Sequence, residues 1–160
     1  MKKRLVISGS LVFVALLLFA YGMIYFLAHK PVRNAHSSAE EVASTQFAMR
    51  EFDSFYYYNG NEAWDVVTGT NSDGEAIGVW ISRDGDEQLS LALDGLTEKE
   101  AITILRAEKD VWEIKGIRLG MESEAPLWEI TYLNKRDYLC YYYMDYYTGK
   151  VLKSFDNVAR

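Results

Sequence analysis

The sequence predicts an α+β chain: one N-terminal transmembrane helix, then two tandem units, each a helix packed on an antiparallel sheet. Three observations lead there. Residues Leu5 to Leu27 contain no Asp, Glu, Lys or Arg in 23 positions. A helix signal followed by several strand signals then occurs twice. The strand signals are separated by clusters of Asn, Asp, Gly and Pro, the residues that turns require.

Charge is distributed as unevenly as hydropathy. The 160 residues carry 17 Lys+Arg against 23 Asp+Glu, a formal charge of −6. Lys2, Lys3 and Arg4 precede the apolar run, and no acidic residue precedes Glu40. From Ala28 onward 14 basic side chains face 23 acidic ones, a net of −9. A domain that acidic lacks the basic footprint that nucleic acid needs. A single apolar run excludes a polytopic transporter. The remaining 133 residues suffice for one ordinary domain or two small ones.

Each element has a local reason. As a helix, the run Leu5 to Leu27 rises about 35 Å, enough for a hydrocarbon core of about 30 Å. Three basic residues before it, against Lys30 and Arg33 after it, favour residues 1–4 as a cytoplasmic tail, with everything after residue 27 outside. The competing reading is a signal peptide cleaved after Gly22, at Ala20-Tyr21-Gly22. Residues 28–37, with Pro31, read as a linker. The single cysteine, Cys140, forms no internal disulfide and reads as a small buried apolar residue.

The first unit is expected over 38–94. Ser37 or Ser38 caps its helix, Glu40 and Glu41 occupy the first turn, and the helix ends near Glu51 or Phe52. Strands follow over 54–58, 63–69, 77–82 and 88–93, with turns at Asn59-Gly60, Asn71 to Gly74 and Arg83 to Asp86. The second unit is expected over 95–157. Thr97 with Glu100 makes a capping box and the helix runs to about Asp110. Its strands are 111–119, 127–133, 138–145 and 151–155. An offset of 64 aligns Trp64 with Trp128, Asp73 with Asp137 and Gly85 with Gly149.

Alternation assigns faces in the second unit. Trp128, Ile130 and Tyr132 share one face, with Trp128 buried where its strand meets the helix, and the core side of the next strand carries Cys140, Tyr142 and Met144. Tyr141, Tyr143 and Asp145 point the other way. Outward tyrosines offer rigid amphipathic contact area, so these three are the candidate partner-binding residues. The competing use of that face is a seam buried by the first unit.

Catalytic chemistry finds no footing. Both histidines, His29 and His36, precede the strands, so neither a Ser-His-Asp nor a Cys-His arrangement arises inside the fold. One Cys without His makes no zinc site. Asp84-Gly85-Asp86-Glu87 lacks the ligand spacing of a calcium loop. No catalytic residue, cofactor or metal is expected.

Three stretches have a familiar form. Leu96-Thr97-Glu98-Lys99-Glu100-Ala101, Leu127 to Tyr132, and Tyr143-Met144-Asp145 with Tyr147-Thr148-Gly149-Lys150-Val151-Leu152 resemble the PepSY pattern. The whole chain resembles the TseB-like family of single-pass membrane proteins of Gram-positive bacteria. That resemblance implies two tandem PepSY-like units of cystatin-like topology. It further implies a non-enzymatic, membrane-anchored, extracytoplasmic regulator of cell-wall elongation that binds a penicillin-binding protein. The alternative is a PepSY-type protease inhibitor or propeptide-like module at the cell surface. A third class, an enzyme acting on wall glycan, has no carboxylate pair to support it.

Overall fold

The computed structural model describes residues 16–23, 35–83 and 87–158. Residues 16–23 are helical. Among the described residues no helix is long and apolar enough to cross a membrane. The transmembrane helix expected over Leu5 to Leu27 is therefore corrected to this short helical stretch. The rest of that run, the basic residues 2–4, most of the linker and the turn at 84–86 lie outside the described residues.

The described residues from 38 onward form one compact unit. A helix α1 over 35–46 leads into β1 (Met49–Asn59), β2 (Ala63–Asn71), β3 (Ala76–Ser82) and β4 (Gln88–Ala92). A second helix, α2 (Glu98–Glu108), leads into β5 (Val111–Glu122), β6 (Ala125–Asn134), β7 (Leu139–Asp145) and β8 (Val151–Val158). The strands make two antiparallel four-stranded sheets, ordered β1-β2-β3-β4 and β5-β6-β7-β8.

Local chemistry explains both helices. α2 starts at a full capping box: the Thr97 side chain accepts from the Glu100 amide, and the Glu100 carboxylate accepts from the Thr97 amide at 2.9 Å. α1 ends sooner than its apolar pattern suggested. Ala48 takes a left-handed φ of 53°, which breaks the helix, and Met49 to Glu51 join β1 instead. The pairing gain of an eleven-residue edge strand outweighs the helix propensity of three residues.

The two halves repeat one plan, 63 residues apart at their β-turns. Asn71 Oδ1 accepts from the amides of Asp73 and Glu75, and Asn134 Oδ1 accepts from those of Arg136 and Tyr138. Gly74 and Asp137, three residues into each turn, both have positive φ. This replaces the offset of 64. Trp128 lies on the face that meets α2, whereas Trp64 lies on the face remote from α1, so the two tryptophans are not equivalents. Leu127 is the counterpart of Trp64.

Each sheet buries one face under its helix. Ala39 and Ala43 of α1 pack on Val67, Ile77 and Val79. Ala101 and Leu105 of α2 join Trp128, Ile130, Tyr132, Cys140, Tyr142 and Met144, the face that alternation assigned to the core. The other face of the first sheet, with Tyr58, Trp64, Val66 and Trp80, joins that same second core rather than solvent. Trp80 Nε1 donates to the carbonyl of Gly120 in β5 at 3.2 Å, and the Tyr58 ring lies where a Cβ at Gly120 would sit. The first sheet thus covers β5, an edge strand of the second. Fully burying large apolar side chains of this kind contributes about 1.5–3 kcal/mol each.

Candidate partner-binding face

The face of the second sheet remote from α2 is built from cross-strand rows. One row is Arg118, Glu129, Tyr143 and Lys153; the next is Gly116, Thr131, Tyr141 and Phe155. Directly opposed residues of an antiparallel pair share a face, so the register alone brings these side chains together.

The first row is internally satisfied. Arg118 Nη1 lies 2.8 Å from Glu129 Oε1, and Glu129 is buried. Lys153 Nζ sits 4.3 Å from the centroid of the Tyr143 ring and 2.7 Å from Glu122. Glu122 also accepts from Tyr58 Oη at 2.7 Å, which ties this row to the first sheet. Burial pushes the Glu122 carboxyl up, but hydrogen bonds from Lys153, Tyr58 and Asn61 outweigh it and hold it below its ordinary value. Burial, with the nearby Glu129 carboxylate, raises the Tyr143 phenol well above its ordinary range.

The second row is open. Nothing lies within 4 Å of the position a Cβ would take on Gly116. Phe155 is 51% exposed and Tyr141 half-buried. Thr131 is only 9% exposed, yet its hydroxyl has no hydrogen-bond partner among the described residues. An unsatisfied buried hydroxyl costs about 1–3 kcal/mol. The accessible part of this row is therefore the space over Gly116 and the neighbouring pair Tyr141 and Phe155.

The three residues singled out from sequence have different fates. Tyr141 stands on the outer face with accessible surface. Tyr143 shares that face but is only 8% exposed, packed edge-on against Phe155 at 6.1 Å. Asp145 is spent on its own turn. It accepts from the Thr148 amide at 2.7 Å and the Thr148 hydroxyl at 2.6 Å, and the hydroxyl bond foremost lowers its carboxyl below the usual range. Gly149 completes that turn at φ 70°. The stretch from Asp145 to Gly149 is therefore a turn device. The sequence places Phe155 in a strand but does not assign its face, which depends on the bulge between Tyr143 and Met144 that alternation does not show.

Comparisons with known proteins agree on kinship. Residues 38–82 match the family model described as cell wall elongation regulator TseB-like domain. The chain is 31% identical over 157 residues to a Bacillus subtilis (strain 168) protein named "Probable cell wall elongation regulator TseB", covering 96% of this chain and 97% of that one. The solved structure of the YpmB protein from Bacillus subtilis superposes with a TM-score of 0.67 at 32% identity, over 76% of this chain and 96% of that one. With similarity running nearly end to end, the chain belongs to the family of TseB-like cell wall elongation regulators.

Proposed function

We propose that this protein regulates cell-wall elongation by binding a penicillin-binding protein outside the cytoplasm, at the cell membrane, and that it catalyses no reaction itself. The family name carried by its relative supports the regulatory role. The order of residues 2–27, basic then apolar, supports export. The observation that carries binding is the open row on the second sheet. Half-buried Tyr141 and exposed Phe155 stand side by side there, with open space over Gly116 at the far end of the row. Neighbouring aromatic side chains on an accessible sheet face are the usual makings of an interface centre. The net of −9 after Ala28 disfavours direct adhesion to anionic wall polymers and favours a protein partner.

In-membrane crosslinking from a photoreactive residue at position 141 tests this. Capture of a penicillin-binding protein is expected, and the double variant Tyr141→Ser, Phe155→Ser should weaken it while thermal stability stays nearly intact. A stable double variant that captures the synthase as well as the parent rejects this face. Protease added outside intact protoplasts should digest the compact unit; its protection would overturn the extracytoplasmic placement.

A further inference from the structure

A cavity of about 160 Å³ opens at the start of α2, walled by Tyr56, Trp128, Tyr146, Leu93 and Leu96 with Glu98 among its lining residues. Its rings are inclined to one another rather than stacked. Tyr56 meets Trp128 at 82° with centroids 5.7 Å apart, and Trp128 meets Tyr146 at 48° and 6.2 Å. Trp128 and Tyr146 are fixed by burial at 4% and 3% exposure, and Trp128 Nε1 is anchored to the Leu96 carbonyl at 2.9 Å. The walls are therefore preformed. The volume falls well short of the roughly 300 Å³ that a drug-sized ligand occupies, and suits one side chain.

The charge around it selects the kind of side chain. Burial raises the phenols of both tyrosines, and carboxylates add to it: Glu98 and Asp53 at Tyr56, Asp94 at Tyr146. No Lys or Arg is among the lining residues. The positive end of α2 is countered by Glu98 and Glu100 in its first turn and by the closed capping box. A purely aliphatic guest would leave this negative potential unused. A cation on an alkyl stem meets both requirements, with methylenes against Leu93 and Leu96 and the charge between aromatic rings and a carboxylate.

We propose that this cavity receives a lysine side chain of the protein partner. The proposal rests on the protein-partner reading above and supplies a second, charge-selective contact on a different part of the unit from the Tyr141 face.

The test titrates the full chain with Nα-acetyl-lysine methylamide and with its norleucine counterpart, which keeps an aliphatic stem but lacks the ammonium. The readout is the NMR signal of the Trp128 indole. Saturable binding of the lysine probe is expected, with the norleucine probe weaker by at least about threefold. Glu98→Gln, an exposed change in the first helical turn, should weaken the lysine probe by about threefold and leave the norleucine probe unaffected. The same variant should reduce capture of the synthase. Equal binding of the two probes, an unchanged lysine affinity in Glu98→Gln, or no saturable shift would overturn the proposal. A parent chain that captures no synthase would instead sink the proposed function, since the probe titration reads the cavity without any partner.

Discussion

The ring of Tyr58 lies against the backbone of Gly120, and the two residues hold matching places in the two sheets. Tyr58 is paired with Trp64 across β1 and β2, and Gly120 with Leu127 across β5 and β6. At this contact one copy supplies a large ring and the other supplies the space for it.

Gly120→Ala should therefore lower the melting temperature. A Cβ there would lie 2.4 Å from carbons of the Tyr58 ring, and that ring is fully buried. Overpacking of this sort costs about 1–3 kcal/mol. Thermal denaturation of the variant checks it, and an unchanged midpoint would show that the two sheets separate at little cost.

Trp128→Ala should cost about 3–5 kcal/mol, the range for removing a large buried aromatic. It removes an edge-on contact with Tyr56 and leaves the Leu96 carbonyl without its indole donor. Urea unfolding measures the loss. Trp128→Phe, which loses the donor but keeps most of the apolar area, should cost less.

Acid should act in part through Glu122. Its folded carboxyl is held below the ordinary value, so the stabilisation it contributes is present above the unfolded value of about 4.3 and is lost as pH falls through the folded one. Glu122→Gln should flatten the decline of stability with falling pH below about pH 4.3. Melting temperatures of parent and variant across that window decide the matter; parallel curves would contradict it.

Gly149→Ala should destabilise the β7–β8 turn. The residue sits at φ 70°, and a Cβ there would lie 2.7 Å from Ile104 Cδ1 of α2. Left-handed strain and crowding together cost about 1–3 kcal/mol. Hydrogen exchange at β8 should rise before that of β6, since the turn holds the edge strand.

Much of this architecture was legible in the chain because its causes are local. Thr97 and Glu100 announce a capping box three residues apart, and the box forms. Alternation around Trp128 and Cys140 assigned the helix-facing side, and those residues are buried. What escaped was what distance decides. α1 ends at residue 46 rather than near Glu51 because the left-handed turn at Ala48 has no residue-level mark. The shared identity of Trp64 and Trp128 suggests an offset one residue too long, because only the strand pairing shows that Trp64 and Leu127 hold the matching places. In the candidate face, the orientation of Tyr141 and Tyr143 followed from parity. The burial of Tyr143 did not, because it depends on Lys153 and Glu122, whose grouping only the folded sheets create.

The indole of Trp80 on the Gly120 carbonyl also bears on self-association. A sheet ends in a strand whose unpaired amides and carbonyls invite another chain to continue the ladder, the usual route to aggregates. The first sheet lies over that rim of the second and engages it through a side chain instead of through further strand pairing. Duplication of a small fold would otherwise have added another such rim to guard. Here one copy shields a rim of the other, with Trp80 and Tyr58 both set against Gly120.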